Sequence, residues 1–145
     1  MLQRPSEPVD RCPSHLDVTD SVDSRNPRAR HKLGRAAEDF AAGYLQQQGC
    51  HIVERRYGRR GGEIDLIIDD GGVLAFVEVK ARRNERYGAP ISAVTDRKRR
   101  RIVRTARLFL AAHRRRSRRC RFDVVSVRLV GGRAQLRWVR DAFRG

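Results

Sequence analysis

The sequence predicts an α/β domain over residues 31 to 145, and three features of the pattern predict it. Apolar residues recur at helical spacing from Leu33, two β-rich runs flank a turn at Asp69-Asp70-Gly71-Gly72, and a second helical stretch leads into two further strands. An order of α, β, β, β, α, β, β calls for helices packed on a sheet. A length of 145 residues suits one domain of this kind rather than two.

Residues 1 to 30 mix Pro, Ser, Asp and Arg with few large apolar groups and no period. Such a segment cannot offset its ordering entropy and reads as a disordered leader. From Leu33, the residues Ala36, Ala37, Phe40, Ala41, Tyr44 and Leu45 continue an i, i+3, i+4, i+7 stripe, so a helix is predicted up to Gly49. A short apolar stretch follows at His51 to Val53, then a polar loop ending at Gly61-Gly62. Glu63 to Ile68 and Val73 to Lys80 are rich in Ile, Val and Leu, and the four residues between them supply turn chemistry for an antiparallel hairpin. A loop with Asn84, Gly88 and Pro90 precedes a helix over Ser92 to His113, where Ile102, Ala106, Phe109 and Leu110 form the apolar stripe. Phe122 to Val130 and Ala134 to Val139 read as two strands around Gly131-Gly132.

Charge narrows the function classes. Basic residues number 33 against 17 acidic, a formal net charge of +16, which attracts polyanions and points to nucleic acid. Residues 1 to 30 are neutral overall, so the excess belongs to the domain. Arg97 to Arg121 holds basic residues and no acidic one, with Lys98, Arg99, Arg101 and Arg104 on the helix and Arg115, Arg116, Arg118 and Arg119 beyond it. These are the candidate nucleic-acid contacts, a solvated arginine surface being the alternative. Cys12, Cys50 and Cys120 form neither a disulfide framework nor a zinc motif, so a reducing cytoplasm is expected. The first residues lack the apolar core of a signal peptide, and no apolar run reaches the ~20 residues of a membrane span. A single Trp, three Tyr and five Phe make single-strand recognition by stacking a poor fit.

The hairpin carries the chemistry. With residues 69 to 72 as the loop, Ile68 faces Val73, Asp65 falls opposite Phe76 and Glu63 opposite Glu78, so Glu63, Asp65, Glu78 and Lys80 share one face. Carboxylates on a strand of Ile, Leu, Val and Phe are costly to bury unless paired or bound to a cation. Asp65 and Glu78 offer the oxygen ligands that Mg²⁺ or Mn²⁺ accepts, and Lys80 could orient a water or stabilise developing charge. A Glu-Lys pair with a neighbouring Asp that merely neutralise one another is the bland alternative. Lysine is scarce: only Lys32, Lys80 and Lys98 stand among the 33 basic residues, so Lys80 and Lys98 look like positions that need a compact ammonium. Lys98 lies one turn before Ile102 on the inward side of its helix, and Glu38 borders the first helix's apolar stripe while Asp39 points to solvent.

The runs Gly34-Arg35-Ala36-Ala37-Glu38, Gly62-Glu63-Ile64-Asp65-Leu66, Phe76-Val77-Glu78-Val79-Lys80-Ala81-Arg82, Lys98 to Ile102 and Arg121-Phe122-Asp123 resemble the YraN-like family of uncharacterised bacterial proteins over residues 31 to 143. That family is similar to the PD-(D/E)XK restriction-endonuclease-like superfamily, above all to archaeal Holliday junction resolvases. The resemblance implies a three-layer fold with a central mixed β-sheet flanked by helices. It implies metal-dependent catalysis at Asp65, Glu78 and Lys80, with Glu38 as the acidic residue of the first helix. Ile64 stands where the superfamily name has proline. The resulting expectation is a Mg²⁺- or Mn²⁺-dependent nuclease acting on DNA rather than RNA, suited to branched DNA and to a two-fold dimer. A non-catalytic nucleic-acid-binding protein on the same fold, and a protein that serves an acidic partner, are the competing readings.

Overall fold

A computed structural model describes residues 26–82, 94–115, 118–130 and 133–145. The element order is α1 (Pro27–Gln47), β1 (His51–Arg59), β2 (Gly62–Asp70), β3 (Val73–Arg82), α2 (Asp96–Ala112), β4 (Cys120–Val130) and β5 (Arg133–Phe143). This is the α, β, β, β, α, β, β order predicted from the pattern. Of the leader read over residues 1 to 30, residues 1 to 25 lie outside the described residues and 27 to 30 belong to α1; the second helix, expected from Ser92, starts at Asp96, because Thr95 is extended and caps it.

The strands form one sheet in the order β1-β2-β3-β4-β5. All neighbours are antiparallel except β3 and β4, which run parallel because α2 crosses between them. One face buries Ala37, Ala41 and Leu45 of α1 against Leu66, Ile68, Ala75, Val77 and Val125. The other buries Ile102, Ala106 and Phe109 of α2 against Ile67, Leu74, Phe76 and Val124. The fold is therefore α/β with helix, mixed sheet and helix as three layers, consistent with the restriction-endonuclease-like expectation.

Strand β4 starts at Cys120 rather than Phe122, β5 runs to Phe143 rather than Val139, and three further boundaries differ from the sequence reading for evident reasons. Helix α1 starts at Pro27 rather than Leu33, because Asn26 caps it by accepting from the Arg28 N–H and Pro27 fits the first helical position. Strand β1 runs on through the polar Glu54 to Arg59, since it lies at the sheet edge, where polar side chains face water. The hairpin loop has two residues rather than four: Asp70 pairs with Val73 and Ile68 with Ala75. Gly71 (φ 59°) and Gly72 (φ 95°) take the left-handed region that such a tight turn demands, and Asp69 Oδ1 accepts from the Gly72 N–H. The register is thus two steps from the expected one, which keeps the side chains from Asp65 to Lys80 on their predicted faces. No helix among the described residues is long and apolar enough to cross a membrane.

Candidate active site

Pairing between β2 and β3 is regular up to Leu66 opposite Val77, and one further step sets Asp65 across from Glu78 rather than Phe76. Strict alternation breaks at Asp65. Ile64 packs on the α2 side, whereas Leu66, two residues on, packs on the α1 side. Beyond Leu66 the Asp65 side chain itself becomes the acceptor, with Oδ2 at 2.7 Å from the Val79 amide. The carboxylate is therefore fixed to β3 next to Glu78.

Glu78 is only 3% exposed. Its Oε1 lies 3.1 Å from Lys80 Nζ and 3.4 Å from Lys98 Nζ. Its Oε2 is buried and has no nitrogen or hydroxyl donor among the described residues. Lys98 reaches this point because α2 returns antiparallel to β3, which brings its first turn, capped by Thr95, to the carboxyl end of that strand. Clefts at the carboxyl ends of parallel strands are the usual ligand position in α/β sheets.

Burial, the Glu78 charge and, more weakly, the Glu38 charge push the Asp65 carboxyl up to about 8, against the help of the Val79 amide. Two carboxylates so placed would repel each other, so the pair retains a proton shared between them. A hard divalent cation fits that donor set: it would be held by Asp65 and Glu78, with phosphate oxygens and water completing its shell. Among the described residues no group of three or more His, Cys, Asp or Glu side chains forms a metal cage.

Glu38 on α1 accepts from Arg56 Nε at 2.7 Å and faces the site through its charge, whereas Asp39 is exposed and pairs with Arg55. Arg56 went unnoticed in the sequence. It falls between Arg55 opposite Leu66 and Tyr57 opposite Ile64, which sets it across from Asp65, and its φ of 52° is left-handed. A side chain in that region costs about 1–3 kcal/mol, and such strain gathers at functional sites. Arg56→Gly should accordingly unfold at a higher denaturant concentration than Arg56→Ala, by about 1 kcal/mol, because glycine alone adopts this φ freely. Equal midpoints would show that the backbone here is unstrained. Glu63, expected on the shared face, is exposed beside Gly58 and makes no ion pair among the described residues.

The predicted nucleic-acid contacts divide into groups. Lys98 belongs to the site, and Arg101 lies over the start of β2, where Gly62 approaches the Arg101 backbone so closely that a Cβ would come within 3.1 Å of its carbonyl. Arg99 donates to the Val94 carbonyl, and Arg104 is exposed on the outer side of α2. Arg115 and Arg119 follow the other end of α2, whose last residue, Ala112, is about 21 Å from Lys98 at 1.5 Å per residue. Arg118 is tied to Asp69 and to the Gly72 carbonyl of the hairpin turn. Arg116 lies outside the described residues.

A second polar cluster also escaped sequence reading. Asp123 is fully buried and accepts from Arg121 Nε, Trp138 Nε1 and the Asp141 amide, while Arg121 also reaches Asp70 at 2.6 Å. Every acceptor position there has a donor, so the cluster binds β2, β4 and β5 together. Cys50 is buried nearby, and burial with the Asp70 charge pushes its thiol up to about 11, which makes it inert.

The chain matches the uncharacterised protein family UPF0102 over residues 37–127. A UPF0102 protein of Xanthomonas campestris pv. campestris (strain B100) is 46% identical over 119 residues, 81% of this chain and 96% of the relative. One from Symbiobacterium thermophilum is 49% identical over 113 residues, covering 77% and 96%. A UPF0102 protein of Stutzerimonas stutzeri is 40% identical over 111 residues, covering 76% and 92%. With Glu38, Asp65, Glu78, Lys80 and Lys98 all inside the matched span, this chain belongs to the uncharacterised protein family UPF0102.

Proposed function

We propose that this protein hydrolyses phosphodiester bonds in DNA, branched or otherwise structured, with a divalent metal ion held by Asp65 and Glu78. The observation that carries the reading is the buried Glu78 carboxylate set against the Asp65 carboxyl, with no nitrogen or hydroxyl donor to Glu78 Oε2 among the described residues, so that the pair holds a proton where a cation could sit. Two carboxyl groups buried together keep a proton that water would have removed, and a divalent cation there would take that proton's place. Mg²⁺ or Mn²⁺, when bound, would polarise a phosphoryl oxygen and lower the pKa of a bound water. Lys80, on the far oxygen of Glu78, is positioned to hold a water or to offset charge on the phosphoryl group. Lys98 adds a second ammonium at the same oxygen, and Glu38 is kept at the edge of the site by Arg56. Exposed arginines such as Arg101 would grip the phosphate backbone without reading bases.

The test uses linear, single-stranded and branched DNA with Mn²⁺ or with chelator. Cleavage should require the metal and fall by about 10²-fold or more in Lys80→Ala, the scale for removing one charge-stabilising donor. Cleavage that survives both Asp65→Ala and Lys80→Ala would mark a contaminant and end the proposal. Binding without metal-dependent cleavage would instead favour a non-catalytic nucleic-acid-binding protein.

A further inference from the structure

On the side of α2 turned away from Lys98, the helix and the residues after β5 enclose an open groove of about 680 Å³. Arg100, Arg104 and Arg107 of α2 and Arg144 after β5 form its rim, with Asp96 as the single acidic member of the lining. None of these four arginines has an ion-pair or hydrogen-bond partner among the described residues, and all four are exposed. Arg100 and Arg104, and Arg104 and Arg107, are one turn apart, so the helix carries repulsion that an anionic ligand would relieve.

The floor differs in kind. It is made by Val103, Leu108 and Phe143. Leu108 is 42% exposed and is the only exposed large hydrophobic side chain among the described residues. Arg99 lies over the Phe143 ring at 5.6 Å and donates to the Val94 carbonyl, which fixes the floor from one side.

We infer that this groove binds an acidic protein segment that brings an apolar side chain with it. Charge complementarity selects an anionic partner, and the apolar floor selects among anions. A phosphate backbone would leave Leu108 in water, whereas a segment alternating carboxylates with Leu or Phe would occupy rim and floor together. The volume lies within the range of small-ligand sites, so it takes a few side chains of a short linear segment rather than a folded domain. The inference stands apart from the proposed nuclease reading, since Lys98 and Glu78 lie on the other flank of α2.

Fluorescence anisotropy tests it with a labelled synthetic peptide of alternating Asp and Leu, in chelator so that no metal-dependent event contributes. A peptide of alternating Asp and Ser and a single-stranded oligonucleotide serve as comparators. The Asp-Leu peptide should bind at least about tenfold more tightly than the Asp-Ser peptide, a difference of the size expected for one buried apolar anchor. Arg100→Glu with Arg107→Glu, and separately Leu108→Ser, should each weaken binding by about tenfold or more at an unchanged thermal midpoint. Asp65→Asn should leave the affinity unaltered. Equal binding of the two peptides, or indifference to Leu108→Ser, would reduce the groove to general electrostatic attraction and overturn the inference. An oligonucleotide that displaces the peptide and itself depends on Leu108 would assign the groove to nucleic acid instead.

Discussion

Asp65→Asn is expected to yield a more stable protein that, under the proposed function, no longer cleaves DNA. The Asp65 carboxyl is pushed up to about 8, well above the ordinary carboxylate range, first by burial and then by the Glu78 charge. An acid whose folded value lies above its unfolded value costs stability as pH rises. Below pH 4 both states hold the proton and nothing is lost; between pH 4 and 8 the unfolded chain releases it while the folded chain keeps it; above pH 8 the whole penalty is present. Asparagine carries no charge there, and its amide oxygen can still accept from the Val79 N–H. In chelator, the wild-type midpoint should therefore fall between pH 5 and 9 more steeply than that of Asp65→Asn. At pH 9 the variant should be ahead by about 0.5–2 kcal/mol, the usual size of a stabilising substitution. A pH profile of the same slope in both proteins would refute the assignment. Under the proposed function, the variant also loses metal-dependent cleavage, and added Mn²⁺ stabilises the wild type but not the variant.

The layers of the fold were legible because each depends on local pattern. The α1 stripe from Leu33 to Leu45, the Gly71-Gly72 turn and the Ile102 to Phe109 stripe each fix one element from neighbours in the chain. The face shared by Asp65, Glu78 and Lys80 could be anticipated despite a wrong loop length, since an error of two steps in register preserves parity and an error of one would not. Lys98 could be placed because three lysines among 33 basic residues set it apart and its helix position turned it inward.

What the sequence hid is non-local or conformational. An arginine gives no sign that its φ will be left-handed, so Arg56 could not be distinguished from Arg55 beside it. The Asp123 network joins residues up to 51 positions apart, and nothing within a few residues of Asp123 separates a buried acceptor from a surface carboxylate. Arg118 looked like a phosphate contact because charge composition counts side chains without their partners; the hairpin turn supplies one. The arginine-rich run is thus three things at once: a site flank at Lys98 and Arg101, an outward groove at Arg100 to Arg107, and structural clamps at Arg118 and Arg121.

Asp123→Ala should cause the largest loss of stability of any single change considered. It removes the acceptor for three donors at once and strands the Arg121 guanidinium, which is 17% exposed and, among the described residues, keeps only Asp70 as an anionic partner. Breaking a buried ion pair from one side costs about 3–5 kcal/mol, because the remaining charge stays desolvated. For a domain of this size that corresponds to a fall of roughly 10 °C or more in the thermal midpoint. Trp138 is the only tryptophan in the chain and donates directly to Asp123, so its emission should report the same loss. Arg121→Met combined with Asp123→Ala should lose less than the sum of the single changes, since the stranded charge is then gone. Additive losses would show that the two side chains are not energetically coupled. Asp123→Asn separates this role from chemistry. Its amide oxygen still accepts from Trp138 or the Asp141 amide, so the fold survives at moderate temperature with a smaller penalty. Any cleavage activity should then remain within about tenfold of wild type, far above the loss expected from Lys80→Ala. Asp123 is thereby predicted to act on the site only through the sheet that carries it, with Val77, one residue before Glu78, as its partner in the parallel ladder.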